Sequence, residues 1–241
     1  IKNNFENWRK QCTIWKKNYP VCLPKYDLEK SPINIYKFID RLSDLSSDND
    51  IFIADAGSAI YAISQGVKLN KKDQRYIPSS AMATMGYSLP AAIGVAFATD
   101  NRVFAITGDG SFQQNIQELQ TLKHYNIPVK LFILNNNGYL SIRASQKNYF
   151  SQRYIGEGIN TGVSFPDTLK VSRAYGIPCA RVNHLNDLDK EIKKAINSKG
   201  PYILDIITPE NQEIIPTVTS QINKDGSMTS RPLEDMAPFL D

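Results

Sequence analysis

The sequence predicts an α/β fold, with a parallel sheet covered by helices on both faces. Three observations carry that expectation. Short apolar runs alternate with helix-patterned segments through most of the chain. Residues 129–134 read as a continuously hydrophobic strand, the pattern of a parallel strand covered on both sides. Glycine turns follow the apolar runs that end near residues 54 and 106, where a parallel sheet would place its ligand-binding loops.

Taken in order, residues 1–30 are polar, aromatic and Lys-rich, with Trp8, Trp15, Tyr19 and Tyr26 beside Pro20 and Pro24. They are expected to form a linker with a helical turn or two, leading in from an upstream domain. The first residue is Ile1, not Met, which suggests a piece of a longer protein. Ser31 suits a helix N-cap and Pro32 the first helical position. Ile35, Phe38, Ile39 and Leu42 then share one helical face. Ile51–Ala54 is a short apolar run before a Gly turn. Residues 84–98 are apolar almost all round, which predicts a buried helix. Residues 102–106 form the next strand, followed by a Gly turn and an amphipathic helix near 112–125. Two further strands are expected at Cys179–Val182 and 202–208, separated by helices near 166–175 and 186–197. The domain is therefore placed at 31–208. The tail 209–241 carries Pro216, Pro232 and Pro238 and is expected to wrap the surface.

Composition narrows the function classes. A chain of 241 residues, 41% apolar and 22% charged, can bury one sizeable core. The net charge of +4 is mild, and no basic run resembles a nucleic-acid footprint. No stretch approaches the ~20 apolar residues that span a bilayer. Neither nucleic acid nor membrane is expected as a partner. Cys12, Cys22 and Cys179 form no CxxC pair, which favours a reduced, cytoplasmic setting. His124 and His184 lack metal-ligand spacing and read as surface residues. Lys71-Lys72 reads as a solvated loop, and Arg143 and Ser145 as exposed helix surface.

The sharpest signal is Gly108-Asp109-Gly110-Ser111 at the end of a strand. Its glycines allow a tight turn and close ligand approach, and the helix it opens presents free N–H groups to an anion. Ser111 and Gln114 have capping-box spacing. An aspartate beside a bound phosphate requires a cation between them. One helix and one strand later comes Asn135-Asn136-Asn137-Gly138-Tyr139, again at a strand end. The Asp109 carboxylate, the Asn136 amide oxygen and the Gly138 carbonyl are few, hard oxygen ligands. They suit Mg²⁺, which keeps room for phosphate oxygens and water. A diphosphate with Mg²⁺ is the expected ligand.

The Gly-Asp-Gly turn, followed about 25 residues later by Asn135-Asn136, resembles the signature of thiamine diphosphate enzymes. Residues 108–146 resemble acetolactate synthase large subunits and their relatives. So does Ala83-Thr84-Met85-Gly86-Tyr87-Ser88-Leu89-Pro90-Ala91-Ala92-Ile93-Gly94, and the likeness covers roughly residues 35–210. The resemblance implies the parallel-sheet, three-layer thiamine diphosphate-binding fold. It implies that Asp109, Asn136 and Gly138 hold the metal, and that Gly57, Ser58, Gly108, Gly110, Ser111 and Tyr139 belong to the cofactor site. Ala83 and Met85 would meet the aminopyrimidine, with the Met85 side chain propping the cofactor in a bent form. Asp55 would cap a turn or touch the diphosphate side. Relatives often carry Gln-His where this chain has Ser58-Ala59, and acetolactate synthases commonly carry Gln-Trp-Gln at Ala144-Ser145-Gln146. The second departure favours a different or larger acceptor substrate.

The resemblance implies decarboxylation or carboligation of a 2-oxo acid such as pyruvate by a homodimer or homotetramer. No catalytic residue is expected in this chain, because the activating glutamate of such enzymes comes from a separate domain. Alone, the chain should bind cofactor poorly. A non-catalytic binding module that kept the fold is the alternative. A nicotinamide-dependent dehydrogenase is disfavoured because no G-x-G-x-x-G follows the first strand. Residues 225–236 resemble the ending of acetolactate synthase-like proteins and are expected to order with cofactor.

Overall fold

The structure, a computed structural model, describes residues 5–237; Ile1 and Pro238 lie outside the described residues. Six parallel strands form one sheet: β1 (Ile51–Ala54), β2 (Arg75–Pro78), β3 (Val103–Gly108), β4 (Lys130–Asn135), β5 (Cys179–Val182) and β6 (Tyr202–Ile207). Their spatial order is β2-β1-β3-β4-β6-β5. The chain runs outward from β1 to β2, then returns to the other side of β1 for β3. The gap between the C-terminal ends of β1 and β3 is therefore the topological switch point, where such sheets bind ligands.

Strand side chains alternate between two cores, as the pleat requires. Phe52, Ala54, Phe104, Ile106, Phe132, Leu134, Leu204 and Ile206 pack with α2 (Ile35–Leu45), α3 (Ser58–Gly66) and α9 (Leu185–Ile196). Ile51, Ile53, Val103, Ala105, Leu131, Ile133 and Ile203 pack on the other face with α4 (Ser88–Ala98), α6 (Glu118–His124) and α8 (Thr168–Ala174). The result is the three-layer arrangement predicted. The remaining helices are α1 (Phe5–Asn18), α5 (Asp109–Phe112) and α7 (Leu140–Tyr149).

Several local expectations are corrected. α1 is a 14-residue helix rather than a turn or two, and it buries no residue of its own. The helix expected from Pro32 begins at Ile35, because Asn34 rather than Ser31 caps it, accepting from the Tyr36 N–H at 3.0 Å. Ile33 is held in place by its N–H bond to the carbonyl of Ile207, the last residue of β6, at 2.9 Å. α4 buries Ser88, Leu89, Ala92 and Ile93, but Gly94, Phe97 and Ala98 are exposed, so it is covered on one side only. The helix near 112–125 is broken into α5, a tight turn at Gln113–Asn115, and α6. The break lies where Gly86 packs on Gln114 and its carbonyl accepts from the Asn115 Nδ2 at 2.8 Å.

β2 and α3 escape the sequence reading. β2 is a short edge strand ending in Pro78 and only half covered, so it lacks a strong apolar run. The doubly covered β4 begins with a charge. Lys130 is 2% exposed, and its ammonium donates to the Ser198 carbonyl and hydroxyl and to the Gly200 carbonyl at 2.6, 2.7 and 2.7 Å. Burial pushes its pKa down to about 8, while those three acceptors favour the charged form. Lys71 is likewise no free loop residue: its ammonium bonds the carbonyls of Ser43, Asp44 and Ser46 at the end of α2. The start of the tail is bonded to α3 and to the start of α2. Tyr36 Oη accepts from the Ile215 N–H at 3.0 Å, Gln65 Nε2 donates to the Pro216 carbonyl at 2.6 Å, and Gln212 Oε1 accepts from the Ile35 N–H at 3.1 Å. Among the described residues, the strands of the tail are short antiparallel pairs, β7 (Thr217–Val218) with β10 (Met236–Ala237), and β8 (Ser220–Ile222) with β9 (Met228–Ser230).

Candidate functional site

A cavity of about 90 Å³ opens at the switch point. Its lining includes Gly57 and Ser58 after β1, Gly108, Asp109, Gly110 and Ser111 after β3, and Asn136, Gly138 and Tyr139 after β4, with Met85 beside them. Of the residues singled out from sequence, Ala83 and Asp55 do not line it. Leu140, Ser141 and Ile142 of α7 complete one wall.

The two strand-end turns are joined directly through Asp109. Its carboxylate, 4% exposed, accepts from the Gly110 N–H at 2.9 Å and the Gly138 N–H at 3.2 Å. Burial pushes the carboxyl pKa up to about 7, against the lowering effect of the neighbouring backbone N–H groups. A cation beside the carboxylate would reverse that shift. The helix that follows opens at Asp109 with Gly108 as its cap and no side-chain cap bond, so the Ser111–Gln114 capping box does not form. Ser111 lies inside the turn, buried. Gly110 leaves no room for a side chain: a Cβ there would lie 2.4 Å from Tyr139 Cε1. The Tyr139 ring is itself wedged edge-on against Phe165, with centroids 5.3 Å apart.

Asn135 and Asn136 face opposite ways. Asn135 Nδ2 donates to the fully buried Asp205 of β6 at 3.1 Å, and Asp205 is paired with Arg181 at 2.7 Å. Asn136 is 2% exposed, and its Oδ1 has no hydrogen-bond partner. A buried amide oxygen without a partner is costly unless something outside the chain satisfies it.

Asp55 is a clamp rather than a lining group. It is buried, and its two oxygens accept from the N–H groups of Ala56, Gly86 and Ser88 at 2.8, 3.0 and 3.0 Å and from the Thr107 hydroxyl at 3.2 Å. It thereby fixes the turn before α4 that presents Met85. Ala83 sits in the same connection at φ 44°, a left-handed conformation that Cβ makes unfavourable. Ala83→Gly is expected to stabilise the protein by about 1 kcal/mol. The check is a higher denaturant midpoint at unchanged slope; a lower midpoint would refute the left-handed backbone there.

Sequence reasoning missed four contributors. Arg143, read as exposed, is 8% exposed and pairs with Glu157. Phe165 braces Tyr139, and the Glu210 side chain accepts from Asn137 Nδ2 at 3.2 Å. These partners lie far along the chain in irregular segments, where periodicity gives no signal. The only hint was Arg143 itself, a large cation near a predicted loop. Ser145 is exposed as expected. His124 is exposed, while His184 is half-buried and caps α9 through Nδ1.

Among the described residues no cluster of three His, Cys, Asp or Glu side chains could cage a metal. The residues fit an ion held differently. One buried carboxylate and one unpartnered amide oxygen share a cavity whose glycine keeps the backbone open. That donor set suits Mg²⁺ completed by phosphate and water, not an all-protein site.

The comparisons agree with this geometry. A family model described as "Thiamine pyrophosphate enzyme, C-terminal TPP binding domain" matches residues 55–206. Acetolactate synthase 2, chloroplastic, of Nicotiana tabacum is 34% identical over 225 residues, which are 91% of this chain and 33% of that protein. The acetolactate synthase large subunit of Porphyra purpurea is 32% identical over 226 residues, 90% of this chain and 37% of that protein. Acetolactate synthase, chloroplastic, of Arabidopsis thaliana is 31% identical over 235 residues. The chain thus spans about a third of the length of the curated relatives it matches. The switch-point cavity with its paired turns lies within the matched segment, and the chain belongs to the thiamine pyrophosphate enzymes, of which it carries the C-terminal TPP binding domain.

Proposed function

We propose that this chain holds the diphosphate and Mg²⁺ of a thiamine diphosphate-dependent enzyme that decarboxylates a 2-oxo acid such as pyruvate, in the manner of an acetolactate synthase. The product fragment is joined to a second carbonyl compound or released. The observation that carries the reading is the buried, unpartnered Asn136 Oδ1 in one cavity with the Asp109 carboxylate. In this reading Asp109, Asn136 and the Gly138 carbonyl hold the metal. Gly57, Ser58, Gly108, Gly110 and Ser111 meet the diphosphate, and Tyr139 walls the site. Met85 supports the bent cofactor, and the Ala83 backbone meets its pyrimidine.

When bound, the cofactor supplies an electron sink for the decarboxylation. This chain supplies placement. The Asp55 clamp fixes the turn that carries Met85, and the Gly138 N–H fixes the Asp109 carboxylate that would hold the metal. The activating glutamate would come from another domain, and the working enzyme would be a homodimer or homotetramer in the cytoplasm. No helix among the described residues is long and apolar enough to cross a membrane.

The test is calorimetric titration of the full-length protein with thiamine diphosphate at saturating Mg²⁺. Asn136→Ala should weaken binding at least about tenfold, or ~1.4 kcal/mol, without lowering the melting temperature of the metal-free form. Affinity within about twofold of the parent would sink the proposal.

A further inference from the structure

Arg143, on α7, stands where three separate pieces of chain meet. Its Nε donates to Glu157 Oε2 at 2.5 Å. Its Nη1 donates to the Glu210 carbonyl at 2.5 Å and the Asn136 carbonyl at 3.4 Å, and its Nη2 to the Asn137 carbonyl at 3.4 Å. The peptide between Asn137 and Gly138 is therefore held from both sides. Its carbonyl faces the guanidinium, and its N–H faces the Asp109 carboxylate. Glu210, the second residue of the tail, also accepts from Asn137 Nδ2 through its own carboxylate at 3.2 Å. Such a buried ion pair is weak support for stability alone, because desolvation offsets most of the attraction. Its geometry calls for a positional explanation.

We infer that Arg143 is a positioning residue that sets the turn 136–138 and ties it to the chain after β6, so that loading the site and seating residues 209–219 stabilise each other. The inference rests on the Mg²⁺ and diphosphate reading above. Coupling of this kind is reciprocal: whatever the seated segment adds to ligand affinity, the ligand returns to the segment. Its consequence reaches a second cavity, of about 490 Å³, walled by residues 211–219 and by α7. Leu140 and Ser141 line both cavities. A site loaded with metal would thus fix one wall of the space beside it.

The experiment uses the full-length protein with Mn²⁺ and thiamine diphosphate as probes. Mn²⁺ binding is read by electron paramagnetic resonance, and the seating of 209–219 by limited proteolysis with and without the probes. In Arg143→Gln the Mn²⁺ half-saturation should rise about tenfold or more, and the probes should no longer protect the segment. Arg143→Lys should recover part of both, since an ammonium reaches some of the same carbonyls. Glu157→Gln keeps an acceptor but removes the charge. It should fall between parent and Arg143→Gln, and it decides the matter if Arg143→Gln does not fold. Mn²⁺ affinity within about twofold of the parent in the deciding variant would overturn the inference. So would full protection of the segment by the probes despite weakened metal binding. A parent protein without metal-dependent cofactor binding would overturn the functional reading, and this one with it.

Discussion

Asp109→Asn is expected to raise the melting temperature of the metal-free, full-length protein at pH 8 and to abolish the further rise that thiamine diphosphate and Mg²⁺ give the parent. Burial lifts the Asp109 pKa from 3.8 to about 7. The folded state then holds this proton more tightly than the unfolded chain does. Stability therefore falls as pH rises from about 4 to about 7, and the loss is complete above that window. Asparagine resembles the protonated form, so it escapes the penalty. It keeps one acceptor for the N–H groups of Gly110 and Gly138 but loses the second. The net gain should be ~1–3 kcal/mol at pH 8, and the two proteins should converge near pH 4, where the parent is largely protonated. The ligand effect runs the other way. A ligand at a hundred times its dissociation constant stabilises by about 2.7 kcal/mol, and without a carboxylate to neutralise it the cation is not retained. Scanning calorimetry at the two pH values, with and without ligands, reads both effects. A variant still stabilised by cofactor and Mg²⁺ would remove Asp109 from the site.

Gly138→Ala is expected to be the most damaging small substitution in the domain. A Cβ at this position would lie 2.1 Å from the Glu157 carbonyl oxygen and 2.4 Å from Arg143 Nη2. The first is backbone and cannot swing aside. It accepts from the Tyr139 N–H at 2.8 Å, within an antiparallel bridge between Gly138 and Gly158. Relief requires separating the turn from that bridge or displacing the buried guanidinium. Either breaks hydrogen bonds as well as packing. The expected cost is about 3 kcal/mol or more, seen as a lower denaturant midpoint, together with loss of cofactor binding. Gly94→Ala, inside α4 where a Cβ meets nothing within 4 Å, serves as the control and should raise stability by about 0.5–1 kcal/mol. A Gly138→Ala protein as stable as that control would show that the turn does not pack as described.

The sheet was legible because buried parallel strands are apolar on both faces, and 51–54 and 103–106 say so without tertiary help, as does 202–207 apart from Asp205. The edge strand β2 was not, since half of it faces outward and its run of Arg75, Tyr76, Ile77 and Pro78 carries no strong pattern. Helix interiors were placed well and helix starts poorly. Ser31 and Asn34 are both competent caps by type, and only Ile33, bonded to the last residue of β6, selects Asn34. The lone charge in β4 shows the limit of hydropathy. Lys130 is buried because three acceptors from residues 198 and 200 await it, and those are remote in sequence.

For the site, the amino-acid order alone determined the two glycine-rich turns, their place at strand ends and the oxygen donors they offer, because those depend on local backbone freedom and residue chemistry. Only the tertiary structure decided how the turns are held. The Gly138 N–H that orients Asp109, the Glu157 carboxylate that pairs with the Arg143 guanidinium behind the same peptide, and the Asp55 clamp on the turn before α4 join residues 29, 14 and 31 positions apart. Such bonds form when the sheet brings strand ends together and excludes water from between them. No periodicity along the chain records which distant partner will fill the space.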